Sequence, residues 1–259
     1  MRMEDLDSPR EQPGAADDIL RTLEACGLHW DGEVIYQNRR AEAYQAALES
    51  LRRSGVLYAC GCSRKEIADS SIRGIDGPVY PGTCRKGLAP GRLERGLRVR
   101  ADDVTVSFDD RWQGFIMRNP ARDYGDFLVR RADGPFAYQL AVVVDDAEQG
   151  ITEVVRGADL LESTPRQIAL QRLLDLPTPH YAHCPVAINA RGEKLSKQTL
   201  AAPLAKSNPL PVLHKALAFL GQVLPADAVA GSVEDFWRYA IARWNPDAVP
   251  RRRTIAGVG

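Results

Sequence analysis

A loop in the last third of the sequence carries two closely spaced lysines. Residues 192–198 read Gly-Glu-Lys-Leu-Ser-Lys-Gln, so that Lys194 and Lys197 flank Ser196. A glycine lets the backbone approach a bound group closely, and lysines supply the countercharge that a polyphosphate requires. Because lysine and serine also cluster on solvated loops, the segment alone predicts either a phosphate-binding loop or an exposed turn.

Three cysteines have a spacing that is typical of a metal site. Cys60 and Cys62 form a Cys-x-Cys pair, and Cys84 follows after a Gly- and Pro-rich stretch. Thiolates in this arrangement suit tetrahedral zinc. No histidine lies between residues 60 and 84, so the usual fourth ligand is missing. Buried free cysteines are the alternative interpretation.

Three other side chains could bind a polar substrate. Glu4 lies in an acidic opening segment, where a paired carboxylate could receive a ligand ammonium, although a solvated turn is the alternative. Arg156 follows a predicted strand and could bind a substrate carboxylate or form a salt bridge to Glu153. Tyr138 lies in the apolar run 136–146, where a core position is the simpler interpretation.

The composition limits the class of protein. The chain has 259 residues and is 44% hydrophobic, which fits one large domain or two modest ones. Its 34 basic residues match its 34 acidic residues, so a generally basic nucleic-acid-binding surface is excluded. Any RNA contact must use a local patch, and the candidates are Arg118, Arg122, Arg130 and Arg131. A solvated face explains these four arginines equally well.

The same survey predicts a soluble cytoplasmic protein. No apolar run is long enough to span a bilayer, and the acidic amino terminus lacks the apolar core of a signal peptide. The five cysteines are odd in number and unevenly spaced, which favours a reducing compartment.

Apolar periodicity and capping signals predict the elements that must position these residues. From residue 132 onward the pattern is typical of an α/β domain, with an insert before it. Asp145 and Asp146, at the end of the run 136–146, are expected to be structural rather than Mg²⁺ ligands. The tail at Arg251–Arg253 is expected to be mobile. The predicted elements are a helix ending at Gly27, a helix from Asn38 to about Ser54, antiparallel strands within 97–131, a buried strand or helix at 136–146, a strand at 151–156, a helix from Ser163 or Thr164 to Leu174, a strand from Tyr181 to Ile188, and helices at 209–221 and 233–244.

Five segments together resemble one known family in their order and spacing. Over roughly residues 1–205 the chain is similar to the glutamyl-tRNA synthetases, which are class I aminoacyl-tRNA synthetases, and to their short relatives. The matching segments are Arg2–Asp7, Tyr80–Arg85, Arg156–Leu161, Ser163–Gln167 and Lys194–Gln198.

This resemblance implies an α/β fold with a Rossmann-like class I catalytic domain, a zinc-binding insert and a short helical C-terminal part. The implied division is a first part of the catalytic domain at 1–58, the insert at 59–131, the second part of the catalytic domain at 132–204 and the helical segment at 205–259. The chain is most similar to short paralogues that lack an anticodon-binding domain. They activate glutamate with ATP, with Mg²⁺ expected to assist, and transfer it to the queuosine base of tRNA(Asp).

The resemblance also assigns roles to residues. Glutamate would contact Glu4, Tyr138 and Arg156. Lys197 would contact ATP, assisted by Lys194, and would stabilise the charge that develops on pyrophosphate. One structural zinc would take Tyr80 as its fourth ligand beside Cys60, Cys62 and Cys84. The expected partners are L-glutamate, ATP and queuosine-containing tRNA(Asp), bound by a monomer.

The sequence departs from the family pattern at its amino terminus. The family opens with a strand and a Gly-rich turn that cradle ATP, whereas this sequence begins at Met1, directly before Arg2. We therefore expect the first βα unit to be missing, and the 259 residues alone to be inactive or poorly folded. Two explanations stay open at this point: a start site further upstream, or a short protein that binds RNA or an amino acid without activating it. A truncated glutamyl-tRNA synthetase is a third possibility.

Overall fold

The computed structural model describes residues 1–7, 12–70, 73–195, 204, 206–223 and 231–256. The described α-helices are α1 (Ala15–Ala25), α2 (Ala41–Arg53), α3 (Arg64–Ser70), α4 (Pro120–Asp123), α5 (Tyr138–Glu148), α6 (Thr164–Leu173), α7 (Leu210–Phe219) and α8 (Val233–Ala242). The described strands are β1 (Arg2–Met3), β2 (Ile35–Tyr36), β3 (Leu57–Cys60), β4 (Arg73–Gly74), β5 (Gly77–Pro78), β6 (Gly96–Val99), β7 (Val106–Asp110), β8 (Gly114–Arg118), β9 (Phe127–Arg130), β10 (Glu153–Gly157), β11 (His180–Cys184), β12 (Val186–Ile188) and β13 (Thr254–Ala256).

A four-stranded mixed sheet carries most of the candidate site. Its strand order is β10-β11-β7-β8, in which β10, β11 and β7 run parallel and β8 returns antiparallel to β7. The register places Arg156 beside His183 and Tyr181 beside Asp110. Strands far apart in the chain therefore bring polar side chains to the same end of this sheet.

A second sheet, antiparallel and three-stranded, builds the main core. Its order is β3-β6-β9. The antiparallel strands predicted within 97–131 are thus confirmed, although they divide between two sheets and β7 also pairs in parallel with β11. Buried side chains of α2 and α5, among them Leu48 and Leu140, pack against Val99 and Val129 of this sheet. Burial of each such aliphatic side chain contributes about 1.5–3 kcal/mol.

Helix α5 decides between the two alternatives for the apolar run 136–146, which is helical from Tyr138 onward. The run is apolar on nearly every face because the helix packs against α2, α6 and β9. Asp145 is buried at its end and accepts hydrogen bonds from Gln37 Nε2 (2.7 Å), Arg40 Nε (2.7 Å) and Tyr44 Oη (2.9 Å). The expectation that Asp145 is structural is confirmed.

The start of α2 was predicted incorrectly. The helix begins at Ala41, and residues 37–39 form a 3₁₀ turn instead of a cap at Asn38. Asn38 contributes its backbone N–H, which donates to Asp5 Oδ1 at 2.9 Å, so the turn is held by a residue from the amino terminus. The end was predicted correctly, since Gly55 follows with φ of 73°.

The C-terminal segment packs on the amino-terminal part of the chain. Helices α7 and α8 share a small apolar cluster with Cys26, and Trp237 Nε1 donates to the Cys26 carbonyl at 2.7 Å. The mobile tail was predicted wrongly, because β13 pairs in parallel with β12 and Arg253 contacts Glu162 at 2.9 Å. The strand predicted over 181–188 is interrupted at Pro185, which has no N–H to continue a ladder.

The candidate basic patch is largely neutralised. Three of its four arginines lie within salt-bridge distance of a carboxylate, and the fourth lies 5.7 Å from the centre of the Phe136 ring. A strongly cationic RNA-binding patch is therefore not formed by these four side chains. The pairs are Arg118–Glu162, Arg122–Asp103 and Arg131–Asp133. None of the helices in the described ranges is both long and apolar enough to cross a bilayer.

Glu162 connects β8 to the C-terminal tail and should make stability depend on pH. Burial alone would raise the pKa of Glu162, but hydrogen bonds from Arg118 and Tyr124 outweigh it and lower the pKa to about 2. The lowered pKa stabilises the fold above the ordinary value of 4.5, and this stabilisation disappears as the pH falls toward 2.

We expect Glu162→Gln to lower the free energy of unfolding by about 1–2 kcal/mol at pH 7, after allowance for solvent screening of a half-exposed partner. Urea unfolding at pH 7 and pH 3 would measure the change, and the gap to the unmodified chain should narrow at the lower pH. Glu49→Gln, which removes an exposed partner of Arg52 at 2.7 Å, is the control and should change little. A constant gap between the two pH values would contradict the assignment.

Candidate active site

One cavity gathers the three residues expected to bind the substrate. Glu4 follows β1, Tyr138 opens α5, and Arg156 lies near the carboxyl end of β10. All three line a cavity of about 440 Å³, together with Arg2 and Asp146. A larger cavity of about 550 Å³ also touches β10 but reaches toward Trp112 and Trp244 and includes none of the three.

Arg156 forms the basic side of the cavity with neutral partners. Its Nε donates to His183 Nε2 at 3.0 Å, and Nη2 donates to Thr164 Oγ1 at 2.8 Å and Gln167 Oε1 at 2.7 Å. Nη1 lies 3.4 Å from Tyr138 Oη. Within the described ranges no carboxylate forms an ion pair with this guanidinium, so the alternative salt bridge to Glu153 is not formed. A positive charge therefore borders the cavity, and no described residue supplies its counterion.

The acidic side of the cavity is arranged around Arg2. Its Nη1 donates to Asp146 Oδ1 at 2.7 Å, and its Nη2 donates to Glu4 Oε1 at 3.0 Å. Burial lowers the pKa of Arg2, but the nearby Asp146 and Glu4 carboxylates outweigh it and leave the pKa raised. Two carboxylates that line the cavity therefore share one guanidinium on this side. The cavity is thus acidic at one end and basic at the other.

Tyr138 contributes a neutral hydroxyl to the same space. Burial raises its pKa, and the opposing effect of the Arg156 guanidinium is smaller. The phenol therefore keeps its proton and can donate or accept a hydrogen bond. A substrate that fits this cavity would carry both an ammonium and a carboxylate.

The lysine loop is described only in its first half. Gly192 has φ of 78°, and the chain turns back so that Lys194 bridges to Ile188. Lys194 Nζ lies 2.5 Å from Asp159 Oδ2, in the segment just after β10. Lys197, the predicted ATP-contacting lysine, lies outside the described residues. Its role stays a prediction.

The three cysteines of the insert converge as their spacing predicts. Their Sγ atoms all lie within 4.8 Å of one another, and Cys62 Sγ is 3.7 Å from Cys84 Sγ. Tyr80 Oη lies 3.4 Å from Cys60 Sγ and 3.7 Å from Cys62 Sγ. Four ligands at ordinary zinc bond lengths around a tetrahedron would stand roughly 3.5–3.8 Å apart. The distances from Tyr80 Oη to Cys60 and Cys62 and between Cys62 and Cys84 are close to this spacing, so the four side chains are arranged as candidate ligands of one zinc ion.

The surroundings of this cluster also fit a metal with anionic ligands. Arg98 is buried, its Nε donates to Cys60 Sγ at 3.3 Å, and its guanidinium lies 4.0 Å from the centre of the Tyr80 ring. Zinc with three thiolates and one phenolate carries a net charge of −2, which this cation would partly balance. The backbone N–H of Cys84 donates to Tyr80 Oη at 2.9 Å, and this hydrogen bond would help to stabilise the phenolate that a metal requires.

Comparison with known proteins identifies the kind of domain that holds these sites. A family model described as the catalytic domain of class I tRNA synthetases (E and Q) matches residues 1–208. The chain belongs to this family. The predicted class I catalytic domain, with its mixed α/β architecture, is therefore confirmed, as is the prediction of an enzyme of the aminoacyl-tRNA synthetase kind.

Individual relatives extend the comparison over nearly the whole chain. A Chromobacterium violaceum protein named Glutamyl-Q tRNA(Asp) synthetase is 58% identical over 96% of the chain and 83% of its own length. A Dechloromonas aromatica protein of the same name is 57% identical over 98% of the chain and 85% of its own length. The chain also matches the structure of a glutamate-tRNA synthetase from Elizabethkingia anophelis, with a TM-score of 0.75, 20% sequence identity, and coverage of 98% of the chain and 60% of that structure. The last comparison supports the fold alone.

Several residues of the site were missed by sequence reasoning. His183 accepts a hydrogen bond from Arg156 and contacts Asp110, and Arg98 donates to Cys60 of the cysteine cluster. The only sequence signals were a histidine in a short, mostly apolar strand and an arginine between two apolar residues of another. Neither signal indicates a partner, because each partner is contributed by a distant strand.

Proposed function

We propose that this chain is the glutamate-activating part of an enzyme that uses ATP to activate glutamate and transfers the glutamyl group to queuosine of tRNA(Asp). The observation that carries the proposal is the polarised cavity, with Glu4 at its acidic side and an Arg156 guanidinium that has no fixed counterion among the residues the structure describes. Glutamate has one ammonium and two carboxylates, which match these two sides. The names of the 57–58% identical relatives support the queuosine acceptor.

The proposed chemistry needs no nucleophilic side chain from the chain. A substrate carboxylate oxygen attacks the α-phosphorus of ATP and pyrophosphate leaves, after which an acceptor hydroxyl attacks the glutamyl adenylate and AMP leaves. The chain orients the amino acid through Glu4, Tyr138 and Arg156 and stabilises charge on the departing pyrophosphate through Lys197. Lys194 would assist at the phosphates after leaving Asp159. Mg²⁺ would accompany ATP.

We also propose one structural zinc on Cys60, Cys62, Tyr80 and Cys84. The inter-ligand spacing and the buried Arg98 beside the cluster support it. Four protein ligands would leave no position for a reactive water, so the ion would organise the insert rather than take part in the reaction.

We also propose the division of the chain that the sequence predicted. The parts are the catalytic halves 1–58 and 132–204, the insert 59–131 and the helical segment 205–259. The enzyme would act as a monomer in the cytoplasm, where ATP, glutamate and tRNA occur together.

Glutamate-dependent exchange of labelled pyrophosphate into ATP tests activation, with and without tRNA, in a protein that carries the family's opening ATP-binding segment ahead of these 259 residues. Labelled glutamate should then appear on queuosine-containing tRNA(Asp). The same tRNA(Asp) without queuosine is the matched control and should remain unlabelled. Labelling of tRNA(Glu) instead would indicate a glutamyl-tRNA synthetase. Absence of exchange, combined with absence of glutamate binding in a calorimetric titration, would contradict the proposal.

A further inference from the structure

A buried histidine adjoins the substrate cavity without lining it. His183 lies on β11 with 0% of its surface exposed. Its Nδ1 is 2.5 Å from Asp110 Oδ2 on β7, and its Nε2 is 3.0 Å from Arg156 Nε on β10. Thr164 Oγ1 of α6 is 3.2 Å from the same Nε2, and the Tyr181 ring stacks beside the imidazole. Three parallel strands therefore connect Asp110 to Arg156 through one imidazole.

The contacts determine where the imidazole carries its proton. The Nε–H of arginine can only donate, so His183 Nε2 must present a lone pair to it. The single N–H of the neutral ring is then at Nδ1 and donates to Asp110. Burial raises the pKa of Asp110, but hydrogen bonds from the His183 side chain and from backbone N–H groups outweigh it and hold the pKa below its usual range. Asp110 is thus a carboxylate.

Backbone hydrogen bonds fix the orientation of Asp110. Its Oδ1 accepts from the backbone N–H groups of Trp112 (3.1 Å), Gln113 (2.9 Å) and His183 (3.1 Å). Only Oδ2 is directed at the imidazole. The carboxylate cannot rotate without losing these three bonds, so the acceptor that faces His183 Nδ1 is fixed by the fold.

The hydrogen bonds around Arg156 hold one edge of its guanidinium. Nε is taken by His183, and Nη2 is taken by Thr164 and Gln167. Nη1 borders the cavity with Tyr138 and keeps one N–H without a partner among the described residues. An arginine held by one edge presents its other edge in a constant direction, which is what binding of a carboxylate requires.

We propose that Asp110 and His183 are positioning residues, which hold the guanidinium of Arg156 in the orientation that receives the substrate carboxylate. The inference rests on the proposed function, because it assigns Arg156 to substrate binding. It adds a histidine and a carboxylate that do not touch the substrate but determine its affinity.

Asp110→Asn tests the proposal with an almost isosteric change. The three backbone N–H groups will hold the amide oxygen, so the amide NH₂ will face His183 Nδ1. The imidazole must then carry its proton on Nε2, where it opposes the Nε–H of Arg156. We expect the calorimetric Kd for glutamate to rise about 10- to 100-fold. Asp109→Asn, the same change at the exposed neighbouring residue, is the matched control and should leave Kd unchanged.

Nitrogen NMR of the imidazole provides a readout that a purely structural role would not move. Long-range ¹H–¹⁵N spectra should show His183 protonated at Nδ1 in the unmodified chain and at Nε2 in Asp110→Asn. A His183 that is already protonated at Nε2 in the unmodified chain would overturn the proposal, whether or not glutamate binds.

The affinity measurements separate failure of this inference from failure of the proposed function. If the unmodified chain does not bind glutamate, the proposed function fails. If it binds glutamate and Asp110→Asn binds equally well, the positioning role fails. Should Asp110→Asn not unfold cooperatively, His183→Gln and His183→Leu carry the test. The side chain introduced by His183→Gln offers Arg156 an oxygen, whereas the one introduced by His183→Leu does not. The His183→Gln variant should therefore bind glutamate about tenfold more tightly than His183→Leu. Equal affinities of the two variants would overturn the inference.

Discussion

Arg156→Gln will raise the Kd for glutamate at least about a hundredfold. The substitution removes the only cationic group on the basic side of the described cavity and leaves the acidic side intact. Loss of a charged partner from a buried ion pair costs roughly 2–5 kcal/mol, and 1.4 kcal/mol corresponds to a tenfold change in affinity. Because no described carboxylate pairs with the guanidinium, a substrate carboxylate is the group that loses most by its removal.

Arg156→Lys will recover only part of this loss. A lysine keeps the charge but lacks the planar fork that donates to His183, Thr164 and Gln167 and still leaves Nη1 for the substrate, so the ammonium will not be held in one direction. Arg122→Gln is the control, since it also removes a guanidinium but from an exposed pair with Asp103. Calorimetric titration of the three variants with glutamate measures the effect. An Arg156→Gln variant that binds within threefold of the unmodified chain would exclude Arg156 as the carboxylate receptor.

Removal of the proposed zinc will have the largest effect on stability. Structural zinc sites contribute about 10–16 kcal/mol of apparent binding free energy in zinc-finger peptides at pH 7. The cysteine cluster has its own small apolar core with Tyr80, Ile67 and Leu88, separate from the main core, so the metal would be its principal constraint. We expect Cys84→Ser to lose bound zinc and to lower the melting temperature by about 10 °C or more.

Elemental analysis and thermal melts with and without a chelator measure this effect. Cys184→Ser is the matched control, because Cys184 is a half-buried free thiol outside the cluster. Tyr80→Phe should weaken zinc binding less than Cys84→Ser, because water can replace a phenolate. Burial and the neighbouring thiols raise the pKa of Tyr80, so the phenol keeps its proton until a metal displaces it. A chain with less than one zinc, whose melting a chelator leaves unchanged, would refute the site.

Local sequence signals were sufficient to predict the helices that bury a single face. Helices α1 and α2 were predicted from apolar residues ahead of a Gly, α6 from a cap followed by Pro, and α7 and α8 from their amphipathic patterns. All five are present within a few residues of the predicted bounds. The run that became α5 stayed ambiguous, because burial on several faces removes the periodicity that distinguishes a helix from a strand. The tail at Arg253 was misjudged, since its order depends on β12 and Glu162, which local composition does not reveal.

The sequence by itself determined the chemical types and their order along the chain. Three cysteines with a tyrosine, an acidic opening segment, an arginine after a strand and a lysine loop were sufficient to indicate the family and its two sites. Residue types and the distances between them along the chain can be read directly from a linear sequence.

Only the tertiary structure decided which groups meet and in what state. Asp110, His183 and Arg156 come from three strands, and their parallel pairing brings them together. The same holds for Arg98 beside the cysteines, which arrives through β6. Periodicity reports which face of an element is buried, but not which element covers it. The proton position on the His183 imidazole and the direction of the Arg156 guanidinium follow from that pairing. A hydrogen bond forms only when donor and acceptor are about 3 Å apart, and only the folded chain brings these groups so close.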